Sequence, residues 1–302
     1  MRHGHWRSTR GGWGLALIAI LATASVISRA QVSQQTLLQE TFRGPDSSSS
    51  VLTLNVNASG FPCLTADASA STGNSTIPNC NLPAPDPVGA GTLRLTSTAE
   101  QHASGLVAET SLPTSQGLEI SFTQYQYGGY GLDGPGSPGG ADGISFFMAV
   151  APPPPTVLGP QGGALGYASA GSNPGLPGAW LGIGLDAFGN FSNPGFGSPS
   201  CPVKSWAGFN PDSITVRGPG NGTDGYCLIA SSADPIASAS NDWPGLTTVV
   251  YAAGLPTSLR GASRADSAAG YQISVFRKRG PREYGSSGRD SSTRSRVRTP
   301  TG

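Results

Sequence analysis

The chain has 302 residues, with 44 Gly, 26 Pro and only 12% charged residues. That balance excludes coiled coils, helical repeats and helix-rich enzymes, and with 37% hydrophobic residues it points to an all-β protein rich in turns. The formal charge of +1 is unevenly spread: residues 1–30 hold four Arg and no acid, residues 277–302 hold eight bases and two acids, and the body between them holds six bases and fifteen acids. A net of about −9 on the body disfavours nucleic acid and anionic lipid as partners, while acidic groups in polar loops suit a hard cation. His is 3 in all, and His3 and His5 precede the first apolar run, so chemistry that needs several histidines is excluded.

Residues 1–30 have the pattern of an export signal. Arg2, Arg7 and Arg10 form a positive leader, residues 13–27 are apolar but too short for a membrane span, and Ser28-Arg29-Ala30 offers small residues to a signal peptidase. Cleavage after Ala30 makes the mature protein secreted or cell-surface, with no membrane span; an uncleaved anchor is the alternative. Export permits disulfides. Cys63, Cys80, Cys201 and Cys227 allow three pairings, of which Cys63–Cys80 with Cys201–Cys227 closes the shorter loops. A zinc site needs tighter spacing or a nearby His.

Residues 31–276 form the expected domain. Alternation predicts half-buried strands at 92–98, 117–127, 213–217 and 271–276. The continuous apolar run ISFFMAV at 144–150 predicts a strand buried on both faces, and WLGIGL at 180–185 another strand. Gly/Pro loops lie at 128–140, 152–163, 171–178, 193–202 and 218–225. No segment joins a helix cap to an apolar 3.6 period. The expected architecture is a β-sandwich with functional residues on loops at one end. Residues 277–302, basic and without strand pattern, are expected to be a disordered tail.

Three pieces carry chemistry. Asp142, in Ala141-Asp142-Gly143, stands at the mouth of the ISFFMAV strand; in isolation it is a turn-capping Asp. Gly162 and Gly163 open the GGALG segment. Asp186, Phe188 and Asn190 occupy i, i+2 and i+4 at a strand end. That spacing can turn a carboxylate, a main-chain carbonyl and an amide oxygen toward one point, as Ca²⁺ requires; in isolation it is an Asx turn.

In this order, ADGISFF, GGALG and DAFGN resemble the motifs of the L-type (legume-type) lectin domain, nearest to its secreted bacterial branch. The resemblance spans about residues 37–276, with 139–190 its specific part. It implies a concanavalin A-like jelly-roll β-sandwich in which a calcium ion organises loops that bind a sugar. It also implies that Asp142 accepts from sugar hydroxyls after a cis Ala–Asp bond. A main-chain N–H of Gly163, with Gly162 second, would donate to the sugar. Asp186 and the Phe188 carbonyl would bind calcium, the Phe188 ring would stack on the sugar, and Asn190 would bridge metal and sugar.

The chain departs from that family in four places. Gly184 stands where members with a transition-metal site have Glu, so no transition metal is expected. Pro194 stands where legume members supply a further Asp, and the segment Ser205-Trp206-Ala207-Gly208 holds no His; Asn193 and Asp212 are the remaining candidate calcium ligands. Similar domains also run on for several strands beyond the one at 271–276, so the resemblance implies a sandwich short of its C-terminal strands.

The function expected is non-catalytic carbohydrate binding, with a glycan or polysaccharide as partner and Ca²⁺ as cofactor. A structural surface domain with a decayed sugar site is the alternative. A glycoside hydrolase on the same fold is disfavoured, because none of the fifteen body acids forms an E-x-D or D-x-E pair that would set two carboxylates on one strand face.

Overall fold

The computed structural model describes residues 35–66, 68–73, 76–80, 86–113, 117–128, 140–150, 153–201, 210–232, 259–261, 263–265, 267, 269–278 and 292–298. The chain divides into two units, Met1–Thr36 and Leu37–Gly302, and the second carries the fold. The export segment expected at 1–30 lies outside the described residues, as does the segment Ser205-Trp206-Ala207-Gly208.

Thirteen strands form among the described residues. They are β1 Val51–Val56, β2 Cys63–Leu64, β3 Leu93–Arg94, β4 Ala103–Ala108, β5 Leu118–Gln124, β6 Gly143–Ala149, β7 Ala179–Asp186, β8 Ser213–Arg217, β9 Gly220–Asn221, β10 Asp224–Gly225, β11 Leu228–Ser231, β12 Ala269–Lys278 and β13 Ser292–Arg298. Helical structure among these residues is limited to single 3₁₀ turns at Ala68–Ala70 and Gly162–Ala164. The protein is all-β, and its strand pairings are antiparallel. One sheet runs β10-β9-β7-β8-β11 with β6 on β7, a second runs β13-β12-β5, and β1-β4 and β2-β3 form two short ribbons.

The two larger sheets pack face to face as a sandwich. On β7, Leu181, Ile183 and Leu185 point into the interlayer with Ile214 and Val216 of β8, and Ile120 and Phe122 of β5 close over them. The Phe122 and Phe146 rings stack across the layers at 5.8 Å.

The other face of β7 explains its glycines. A Cβ on Gly182 would lie 2.6 Å from Cγ of Tyr167, and one on Gly184 would lie 2.7 Å from Cε1 of Phe191. Both rings rest on bare backbone, beneath loops that bury Ala164, Tyr167, Leu176, Phe191 and Tyr226 together. The pattern LGIGLD thus faces core with its large residues and a covering loop layer with its glycines and Asp186.

Both disulfides pair sequence-locally, Cys63–Cys80 and Cys201–Cys227, with Cα separations of 5.0 and 5.4 Å. The first staples a segment otherwise held by few ladder bonds, among them Cys80 N–H to Leu64 O at 2.8 Å.

Two expectations are corrected. The run at 144–150 is not buried on both faces: β6 is half-buried along its whole length, and among the described residues it pairs with β7 alone, at a sheet edge. Residues 277–302 are not a strandless tail: β12 continues to Lys278 and β13 pairs with it from Gln272↔Arg298 to Lys278↔Ser292. The strand expected at 92–98 shortens to Leu93–Arg94, while β1, β4 and β11 add to the expected set.

Candidate functional site

Strand register builds the site. β6 pairs with β7 so that Gly143 stands opposite Asp186. Asp142, one residue before β6, therefore meets the chain leaving β7, and the Phe188 N–H donates to the Asp142 carbonyl at 2.9 Å. The Ala141–Asp142 peptide is cis.

Asp186 ends β7 on the face turned to the loops. Its side chain is fully buried. One carboxylate oxygen accepts the Gly189 N–H at 2.7 Å and the other the Phe191 N–H at 2.5 Å. This carboxylate winds residues 187–191 into a tight turn and satisfies donors that burial would otherwise strand. The turn directs the Asn190 side-chain N–H to the Asp142 carboxylate.

The 3₁₀ turn at Gly162–Ala164 supplies the third wall. A Cβ on Gly163 would lie 2.6 Å from both Asn190 Cγ and Phe196 Cζ, and one on Gly162 would lie 3.9 Å from Asp142 Oδ2. Asp142, Gly162, Gly163, Asp186, Phe188 and Asn190 thus converge from three separated stretches. Asn193 and Asp212 border the same loop, the Asn193 N–H donating to Asn190 O at 2.9 Å and the Asp212 N–H to Ala187 O at 3.4 Å. The Asn193 carbonyl accepts from Arg217 at 2.9 Å, and Asp212 Oδ1 accepts the Leu259 N–H at 2.7 Å.

Two carboxylates near one another in a buried setting are costly when both are charged. Burial pushes the Asp186 carboxyl up to about 7, against the pull of the Gly189 and Phe191 N–H groups and with the Asp142 charge adding to the rise. Burial also raises Asp142, while its Asn190 bond pulls the other way.

The donors suit a hard cation in kind. Asn190 Oδ1 is buried without a hydrogen-bond partner, and the Asp186 carboxylate, which accepts backbone N–H groups of Gly189, Asn190 and Phe191, has more lone pairs than these three bonds use. Among the described residues no three His, Cys, Asp or Glu side chains gather to hold a metal ion, so a cation here would draw on main-chain and amide oxygens as well. Such a donor set fits Ca²⁺ better than a transition metal.

Sequence reasoning missed Arg217, read only as the end of a strand, and Phe196, in a Gly/Pro loop. Neither carries a local signal, since their importance comes from loops distant in sequence. No family model, no curated protein and no solved structure matches the chain.

Proposed function

We propose that the protein is a non-catalytic carbohydrate-binding, lectin-like protein, exported to the cell surface or beyond. The observation that carries this reading is the convergence of Asp142, Asn190 and Gly163 at one point, joined by the Asn190-to-Asp142 hydrogen bond. A carboxylate that accepts, an amide and a main-chain N–H that donate, and the Phe188 ring as an apolar surface match the hydroxyls and C–H face of a sugar. The L-type lectin likeness of the motifs, with its jelly-roll fold, supports the same reading. Two disulfides suit an oxidising compartment, and no helix among the described residues is long and apolar enough to cross a membrane.

In this proposal Asp186, the Phe188 carbonyl and Asn190 Oδ1 hold Ca²⁺. Bound there, Ca²⁺ would supply positive charge that offsets the buried carboxylates. Asp142 then accepts from sugar hydroxyls, and the Asn190 amide and Gly163 N–H donate to them. A hydrolase would need both carboxylates at the glycosidic bond, and the full burial of Asp186 argues for the binding role.

The alternative, a structural surface domain, is favoured by one observation: both Asp186 oxygens already accept N–H groups of their own loop, so the turn can close without a cation. Glycan-array binding with and without a calcium chelator separates the readings. The lectin-like reading expects binding that weakens on chelation. No binding under either condition leaves the structural one.

A further inference from the structure

We propose that Arg217 is a positioning residue for the candidate sugar site, holding the Asn190 loop from beneath with its guanidinium. This inference rests on the lectin-like reading of that site.

Arg217 ends β8 opposite Gly182 of β7. Residues paired across a ladder share a face, so Arg217 lies on the side of the covering loops while Val216 enters the core. Its side chain is 1% exposed. A buried guanidinium is tolerated only when its donors are satisfied, and here they end on main-chain carbonyls of two loops. Nε donates to Phe191 O at 2.8 Å, one terminal nitrogen to Asn193 O at 2.9 Å, and the other to Tyr226 O at 2.7 Å. The guanidinium carbon also sits 5.2 Å from the centre of the Phe191 ring, within the range of cation–π attraction.

These contacts bracket Asn190. Phe191 follows it directly, and the Asn193 N–H donates back to the Asn190 carbonyl at 2.9 Å. Gly197 keeps the space open, since a Cβ there would lie 3.0 Å from the guanidinium. The loop is thus gripped on one side by Asp186, at the Gly189 and Phe191 N–H groups, and on the other by Arg217, at the Phe191 and Asn193 carbonyls. The planar fork of Arg reaches three carbonyls at fixed angles, and the single ammonium of Lys reaches fewer. Arg217 therefore sets where Asn190 presents its amide to Asp142 and the ligand, and it does so without touching the ligand.

The test compares the oxidised full chain with R217K and R217M. Amide hydrogen exchange is followed over residues 188–196, with β5 as an internal control, alongside affinity for whichever glycan the wild type binds on the array. The expected result for R217M is exchange in the loop faster by about tenfold or more, unchanged exchange in β5, and affinity lower by about tenfold, in keeping with loss of charge-assisted bonds. R217K should recover part of both. Wild-type protection of the loop in R217M overturns the proposal, and so does a loosened loop with unchanged affinity. If R217M does not fold, R217K decides by the same two readouts. A wild type that binds no glycan removes the lectin-like reading alone; the Arg217 grip on the loop is then judged by exchange.

Discussion

Asn190 donates its side-chain N–H to the Asp142 carboxylate while its own Oδ1 is buried without a hydrogen-bond partner. One amide thus links the residue before β6 to the loop after β7 and keeps an acceptor in reserve. A buried amide oxygen left unpaired costs about 1–3 kcal/mol, so the arrangement favours a cation or donor arriving at that oxygen.

Asp142→Ala is expected to abolish glycan binding with little change in folding. The Asp142 side chain is half-buried at the loop end rather than in the interlayer core, so its loss removes the acceptor without opening the core. Array binding and melting temperature, measured on one preparation, check both halves. Binding retained in this variant removes the site assignment.

Gly163→Ala tests close backbone approach. The new methyl would lie 2.6 Å from Asn190 Cγ and Phe196 Cζ, so one of these side chains must move. Overpacking of this kind costs about 1–3 kcal/mol. The expected outcome is a lower melting temperature together with weakened glycan binding. A variant with wild-type affinity would show that Asn190 is not held against Gly163.

Asp186 links calcium to pH. Its carboxyl is raised from 3.8 to about 7, so in chelator the folded state binds the proton more tightly than the unfolded state. The associated stability is fully present below about pH 4 and is lost as pH rises through about 7. The chelated protein should therefore melt higher at pH 5 than at pH 7.5, as far as this group decides it. A cation that binds only the folded state raises the melting temperature by mass action. Calcium should do so at pH 7.5, and Asp186→Asn should abolish both the calcium response and this pH dependence. Thermal melts across pH and calcium concentration provide the measurement. A wild type unresponsive to calcium would mean that the loop is a turn only.

Cys201→Ala with Cys227→Ala removes the bridge across 26 residues beside the carbonyl of Tyr226 that Arg217 uses. Loop-closure entropy puts the loss at about 3.5 kcal/mol. Urea denaturation of the double variant should show a lower midpoint. An unchanged midpoint would mean that Arg217 and the buried Tyr226 already hold this corner.

The sequence alone determined the all-β class, the disulfide pairing by loop length, the strands carrying ISFFMAV, LGIGLD and SITVR, and the three motifs whose residues meet at the site. These signals are local: alternation, glycine punctuation, and short spacings at strand ends. Tertiary structure decided the rest. β4 reads ASGLVA, with too little apolar contrast to declare itself, and forms because β1 lies beside it. β13 forms because β12 offers an edge. That ISFFMAV is half-buried, at a sheet edge among the described residues, is something no run of apolar residues encodes. The glycines of β7 are the floor for the Tyr167 and Phe191 rings, which only the folded covering loops bring to them. Arg217 looked like the end of a strand, and its partners Phe191, Asn193 and Tyr226 are brought to it only when the covering loops fold back over β7 and β8. Hydrogen bonds between residues distant in the chain depend on register and packing, and those are properties of the assembled sheets.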